Sequence, residues 1–393
     1  MPWGSAVDRR EEFMRLIGQP GANRAELCRR FEISRSNSYK WQPRYDAEGR
    51  AGLEERSRRP HSSPRRTAAD LEAQVLAVRA EHPTWGGRKI RKVLERDGLI
   101  NPPSASTITQ ILRRQGRLNG PGAGEPRDWT RFEHPEPNDL WQMDFKGHFA
   151  LAEGRCHPLT VLDDHSRYAL EIGACANEQT ETVQARLEAV FRRHGLPRRI
   201  LTDNGSPWGT SGSEARHTKL TVWLMDLGVA ISHGRPLHPQ TQGKIERFHR
   251  SLKADVLDAW PLDTLPTAQA AFDRWRDVYN FKRPHEALKD MATPGAFYRV
   301  SSRAMPKLIV PPQYEPKATV RKVQHGGFIS FKGRMIRCSK AFIGRQLVLR
   351  PTQTDGLFDL RYRSHLLGQI DLRQNTNQPV LDVSERVSSM SPV

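Results

Sequence analysis

Two apolar, strand-like runs in this chain each carry an aspartate that a buried strand does not keep without a partner. They are Leu140-Trp-Gln-Met-Asp-Phe-Lys146 and Ile200-Leu-Thr-Asp-Asn-Gly205. Side chains alternate across a strand, so Trp141, Met143 and Phe145 share one face and Gln142, Asp144 and Lys146 the other. Asp203 ends its run, and the Asn204-Gly205 turn signal after it places the carboxylate at a strand's C-terminal rim, where α/β sheets tend to build their sites. A third acid, Glu246, lies in Gln242-Gly-Lys-Ile-Glu-Arg-Phe-His-Arg250, a helical run that Gly243 opens and whose Arg250 and Lys253 share the face of Glu246.

The surrounding pattern is mixed α/β. Leu140–Phe149, His157–Asp164 and Tyr168–Cys175 read as three consecutive strands, followed by an amphipathic helix at Thr180–His194 and a strand at Arg198–Leu201. Leu220–Leu227 reads as helix, Val229–Ser232 as strand, and Lys244–Leu257 and Ala268–Phe281 as helices. If Asp144, Asp203 and Glu246 converge in such a fold, each pair about 4 Å apart repels by roughly 4 kcal/mol at an effective dielectric near 20. Protonation, arginine pairing or a metal would relieve this, and an all-carboxylate oxygen set suits Mg²⁺ or Mn²⁺. Taken singly, the three read equally well as a buried paired acid, a turn residue and a helical ion-pair member. Asp163 and Asp164, on the neighbouring strand, are the alternative ligands to Asp144.

Charge points to a polyanion. The 393 residues carry 62 Lys and Arg against 44 Asp and Glu, a net charge of +18, and such a surface gains affinity by releasing counterions from phosphates. The four cysteines are scattered without a Cys-x-x-Cys pair, which argues against a structural zinc site or a disulfide framework and fits a reducing cytoplasm. The N-terminus lacks a signal peptide's apolar stretch, and the run Leu220–Ile231 is too short to span a bilayer.

The N-terminal residues 1–47 read as a helix-turn-helix, with Asn23 and Ser34 as caps. Its second helix offers Arg35, Ser36, Asn37, Tyr39 and Lys40 to base edges and phosphates. Residues 48–66 form a basic linker with Arg58, Arg59, Arg65 and Arg66 placed to lie along DNA. A second helical, DNA-binding module covers 67–118: a Thr67-x-x-Asp70 capping box, Pro83-Thr-Trp-Gly-Gly-Arg88, and a helix after Ser104. A linker at 119–137 follows. After the α/β region, short β-type runs over 315–375 carry twelve Lys and Arg against four Asp and Glu between residues 314 and 373. They read as a small basic β-barrel, and residues 376–393 as a disordered tail.

Trp141-Gln-Met-Asp144, Leu201-Thr-Asp-Asn-Gly205 and His238-Pro-Gln-Thr-Gln-Gly-Lys-Ile-Glu-Arg-Phe248 together resemble the signature of DDE transposases with a retroviral-integrase-type core. Tyr279-Asn280, Arg283-Pro284-His285, Leu288 and Thr293-Pro294, with Pro83-Thr-Trp-Gly-Gly-Arg88, are similar to bacterial insertion-sequence transposases. The resemblance covers about residues 20 to 300. It implies a ribonuclease-H-like core over 138–300 in which Asp144, Asp203 and Glu246 hold two Mg²⁺ ions, with Mn²⁺ able to substitute. It further implies binding to double-stranded DNA at the terminal inverted repeats of a mobile element and at target DNA, by a homo-oligomer in the bacterial cytoplasm associated with the nucleoid. Lys244, Arg250 and Lys253 join the expected DNA contacts. The 42 residues between Asp203 and Glu246 exceed the usual spacing, and the surplus is expected at Trp208–His217. A helix-turn-helix regulator without catalysis and a nuclease with the same core are the alternatives. Metal-independent binding would mark the first, and cleavage without joining the second.

Overall fold

The computed structural model describes residues 5–56, 66–118, 133–209, 217–233 and 243–374. These form two compact units, residues 1–66 and 67–393. The expected contacts Arg58, Arg59 and Arg65, and the tail 376–393, lie outside the described residues.

In the first unit, helices α1 (Ala6–Ile17), α2 (Arg24–Arg30) and α3 (Arg35–Glu48) begin at side-chain caps. Ser5 accepts from the Asp8 N–H, Asn23 from Ala25 and Glu26, and Ser34 from Asn37, which satisfies amides the first helical turn leaves without a partner. Phe13, Met14, Cys28, Phe31, Ile33 and Leu53 form the core. Leu53 corrects the expected boundary at residue 47. A 3₁₀ turn at Gly49–Leu53 folds back onto α1, and the buried Arg10 guanidinium donates to the Leu53 carbonyl at 2.7 Å. A side chain at Gly52 would meet the Arg44 carbonyl at 2.2 Å, so this turn closes only around glycine.

In the second unit, α4 (Ala69–Glu81), α5 (Gly87–Arg96) and α6 (Ala105–Arg114) pack Val75, Trp85, Ile90, Leu94, Ile108, Ile111 and Leu112 together. Ser104 caps α6 as its sequence predicts, accepting from Thr107 at 3.1 Å. The expected capping box at Thr67 does not form: Ala68 occupies the cap of α4 and no side chain caps it. Pro83-Thr-Trp-Gly-Gly-Arg88 has a packing role, with Trp85 buried and Gly87 seated against the Ala105 carbonyl, 2.2 Å from where a Cβ would lie. The module docks on the α/β core through Thr84, which donates to Asp255, and through Arg96, which donates to the Lys282 carbonyl at 3.0 Å.

The core sheet contains β1 (Leu140–Phe145), β2 (Phe149–Ala150), β3 (Arg155–Asp163), β4 (Ala169–Cys175), β5 (Arg199–Thr202) and β6 (Ala230–His233). β3 lies between β4 on one edge and β1 with its short continuation β2 on the other, all antiparallel, while β5 and β6 add parallel to β1. Helices α7 (Thr180–His194) and α8 (Lys219–Asp226) cover the face of Trp141, Met143, Leu159 and Val161. Helices α9 (Gly243–Leu252) and α10 (Leu265–Asp277) cover the other, with Phe248, Leu252, Phe272 and Trp275 against Leu162 and Ile172. This three-layer order is the expected ribonuclease-H-like arrangement. It starts earlier than residue 138: Arg167 pairs with Glu133 at 3.0 Å, and the His134 N–H donates to Asp164 at 3.0 Å. In the Tyr279…Pro294 motif, Asn280 accepts from the Ala169 N–H at 2.8 Å and donates to the Ala169 carbonyl at 3.0 Å, pairing both backbone groups of that residue on the outer strand β4. Arg283 pairs with Asp255 at 2.9 Å.

The C-terminal strands are β7 (Thr319–Lys322), β8 (Phe328–Phe331), β9 (Arg334–Arg337), β10 (Gln346–Pro351), β11 (Leu357–Tyr362) and β12 (His365–Asp371), and they show no closed barrel among the described residues. Among the described residues they pair as a four-stranded antiparallel sheet, β12-β11-β10-β7, and a separate hairpin, β8-β9. The hairpin and α8 both pack on the sheet: Ile329, Phe331 and Ile336 of β8–β9 and Val222 and Met225 of α8 join Phe342, Leu347 and Tyr362 in one core. Asp226, 7 % exposed, is the polar centre of this contact. It accepts from Tyr362 and pairs with Arg363 at 3.1 Å and Arg345 at 2.8 Å. Asp226→Ala leaves those donors facing each other without an anion and is expected to destabilise the protein by about 3 kcal/mol. Thermal unfolding checks this, and an unchanged melting temperature would mean that the apolar contact alone holds the sheet.

Candidate active site

β1 and β5 set the first two acids side by side. Gln142 pairs with Leu201 across the parallel strands, so Asp144 and Asp203, each two positions further along, arrive level at the same rim. Asp144 still belongs to β1 and pairs with Thr160 of β3, whereas Asp203 lies just beyond β5. Both are partly buried. Burial, then the Asp203 charge, with Glu178 and Glu246 adding, pushes the Asp144 carboxyl up to about 7. Three other carboxylates thus bear on Asp144.

Glu246 sits on the first turn of α9 with its side chain exposed. Its charge reaches Asp144, yet among the described residues no three His, Cys, Asp or Glu side chains stand close enough to share one metal ion. Asp144 and Asp203 are therefore brought together, and Glu246 is held nearby.

The Asp203 turn is locked from below. The Trp208 indole N–H and the Gly205 N–H both donate to Asp203 Oδ1, the latter at 3.1 Å. Trp208 is buried and its ring stacks on Phe145, centroids 5.4 Å apart, directly after Asp144. Of the stretch Trp208–His217, where the surplus was expected, Trp208 is a core residue, and 210–216 lie outside the described residues. Trp208→Phe keeps the stack but removes the donor. It is expected to destabilise by roughly 1.5 kcal/mol in denaturant unfolding, and a neutral result would show that the indole N–H does not hold Asp203.

His249, one turn beyond Glu246, reaches under Asp144. The Thr160 hydroxyl donates to the Asp144 carbonyl at 2.9 Å, so the His249 Nε2–H must donate to Thr160 Oγ1 at 2.7 Å. Burial, with Lys146 nearby, pushes the imidazole down to about 3, so it is neutral. Its Nδ1, 3.9 Å from Asp144 Oδ2, makes no ion pair.

Asp163 and Asp164, the alternative ligands, are engaged elsewhere. Asp163 accepts from the N–H groups of Asn138 at 2.7 Å and Ser166 at 2.8 Å, and from the Ser166 hydroxyl at 2.6 Å. Asp164 accepts from Gln142 Nε2 at 2.9 Å and pairs with Lys244 Nζ at 2.6 Å. Burial alone would raise Asp164, but the Lys244 ammonium beside it holds its carboxyl below the usual carboxylate range. Lys244, expected to touch DNA, is spent in this pair. Arg35, Ser36, Asn37, Tyr39 and Lys40 are exposed along α3, Arg66 is exposed, and Arg250 and Lys253 are exposed beyond Glu246. Glu178 escaped sequence reasoning. It lies in the connection from β4 to α7, where no motif or apolar pattern marks it, and its Oε1 is 2.8 Å from His157 Nδ1.

Comparison with known proteins identifies the domains. Residues 134–239 and 227–294 match models of the integrase core domain. Residues 9–61 match a helix-turn-helix domain and 38–112 a homeodomain-like domain. Residues 318–378 match the C-terminal domain of IS481 family transposases. The insertion element IS407 31.7 kDa protein of Burkholderia multivorans is 29% identical over 57% of this chain and 80% of its own length. The transposase for insertion sequence element IS904 of Lactococcus lactis is 24% identical over 59% of this chain and 94% of its own. Among solved structures, the HTLV-2 integrase catalytic core in complex with magnesium is similar over 42% of this chain and 99% of that one, at 19% identity and a TM-score of 0.32. An integrase core preceded by helix-turn-helix domains defines a polynucleotidyl transferase of the DDE type. The chain is an insertion-sequence transposase.

Proposed function

We propose that Asp144, Asp203 and Glu246 are the acids of this transposase. The observation that carries the reading is the level placement of Asp144 and Asp203 on adjacent parallel strands, with Asp144 pushed up to about 7 by burial and by Asp203. Carboxylates forced together in this way, with only oxygen donors, fit a hard divalent cation. Two Mg²⁺ ions, for which Mn²⁺ would substitute, would supply the charge that lets the acids ionise together and would polarise the oxygens of a phosphodiester displacement. Asp144 and Asp203 offer their carboxylates from the sheet rim, and Glu246 closes from α9. Water replaces the 3′ bridging oxygen at the element's end, and the freed 3′-OH then displaces a 3′ oxygen of target DNA in line, so neither ATP nor a protein-linked intermediate is required.

The exposed face of α3, with Arg35, Ser36, Asn37, Tyr39 and Lys40, reads the terminal repeats in the major groove. Arg66 extends this contact, with Arg58, Arg59 and Arg65 beside it in sequence, and Arg250 and Lys253 hold phosphates near the reacting strand. Pairing two ends calls for a homo-oligomer on DNA, in the cytoplasm at the nucleoid. Arg35→Ala and Lys40→Ala are each expected to weaken end binding and to reduce the salt slope by about one. Fluorescence anisotropy over a salt series checks this, and an unchanged slope places these residues off the DNA.

The reading is tested with labelled duplexes from the DNA flanking the gene, incubated with protein and Mg²⁺. Metal-dependent nicks and longer joined strands are expected. Cleavage without joining would make the core a nuclease, and tight binding with neither product would make the chain a regulator.

A further inference from the structure

Glu246 is separated in sequence from the two strand acids, so something must set the start of α9 against β1. The contacts that do so are polar and buried. Gln142, on the same face of β1 as Asp144 and 2 % exposed, accepts the Ile245 N–H at 3.2 Å through Oε1 and donates to Asp164 Oδ1 at 2.9 Å through Nε2. Asp164, 1 % exposed, holds Lys244 Nζ at 2.6 Å through its other oxygen. That oxygen also accepts the His134 N–H at 3.0 Å. Lys244 and Ile245 immediately precede Glu246, so two of the three residues leading into it are tied to β1 and to the β3–β4 turn.

We infer that Gln142, Asp164 and Lys244 form a latch that positions Glu246 opposite Asp144, and that Lys244 acts through this pair rather than on DNA. The inference rests on Glu246 being an acid of the site. The amide side chain of Gln142 suits its place because it donates and accepts at once. A carboxylate there would face Asp164 with like charge, and an aliphatic side chain would leave the Ile245 N–H without its acceptor.

The test is Lys244→Met in the full chain. Mn²⁺ affinity is measured by electron paramagnetic resonance without DNA, Ile245 amide exchange by mass spectrometry, and binding of flanking duplex over a salt series. The expected result is a loss of Mn²⁺ affinity of roughly 10- to 100-fold, faster exchange at the start of α9, and an unchanged salt slope. Asp164→Asn with Lys244→Met removes both charges and is the variant measured if Lys244→Met fails to fold. Because the two residues act through one another, this double variant should be no worse than either single one. A salt slope reduced by about one with unchanged Mn²⁺ affinity and exchange would overturn the inference and make Lys244 a phosphate contact. Glu246→Gln serves as the separate control. If it binds Mn²⁺ and cuts DNA like the parent, the role given to Glu246 fails, whereas amide exchange in the Lys244 variants still reports on the latch.

Discussion

Glu246→Gln is expected to abolish strand cleavage and joining, by roughly a thousandfold or more, while leaving DNA binding and thermal stability in place. The side chain is exposed on the first turn of α9, and surface substitutions of this kind usually shift stability by about 0.5 kcal/mol or less. Glutamine keeps the shape and one oxygen but not the negative charge, so it separates a role in chemistry from a role in folding. The cations expected to hold phosphates beside it, Arg250 and Lys253, are untouched. Gel-based cleavage and joining, with anisotropy for binding, measures both sides. A variant that cuts normally would remove Glu246 from the site, and one that no longer binds duplex would make it a structural residue.

Asp144→Asn is expected to stabilise the metal-free protein at alkaline pH. The folded-state value of Asp144 is raised from 3.8 to about 7, by burial first and by Asp203 next. Between those values the folded chain holds a proton that the unfolded chain has released, so stability falls as pH rises through that window. Asparagine removes this dependence. The gain has a ceiling on the order of 4 kcal/mol at about pH 8, and it vanishes below about pH 4, where the carboxyl is protonated in both states. Mg²⁺ reverses the order, since it stabilises the parent by binding the ionised acids and does little for the variant. Melting curves at about pH 4 and pH 8, with and without Mg²⁺, show both signs. If the variant melts lower than the parent at pH 8 without metal, burial and the Asp203 charge do not raise the Asp144 carboxyl in the folded chain.

Local signals in the sequence carried far. Asn23, Ser34 and Ser104 cap helices because each lies directly before a helical run. Thr180–His194 has the predicted ends because apolar spacing starts and stops there. The rim position of Asp203 followed from an apolar run broken by Asn-Gly. What was not legible depends on contacts between distant segments. Gln142, Asp164 and Lys244 come from β1, a turn and α9, and no spacing predicts that they meet. Lys244 therefore looked like one more cation for DNA. Trp208 looked like part of a surplus loop because its partners, Asp203 and Phe145, are identified only once β1 and β5 are paired. The C-terminal strands were legible because period-2 patterning gives strands, but it does not give closure, and how the sheet, the β8–β9 hairpin and α8 share one core depends on contacts between distant segments. Thr67 matched a capping pattern, but α4 begins after Ala68.

Locating Mn²⁺ by anomalous diffraction from crystals of the transposase bound to its end DNA would show which carboxylates hold the metal. Peaks within coordination distance of the Asp144 and Asp203 carboxylates, with Glu246 drawn in beside them, are the expected result. Manganese bound at Asp163 and Asp164, or absent from the rim in protein that still cuts and joins DNA, would contradict it.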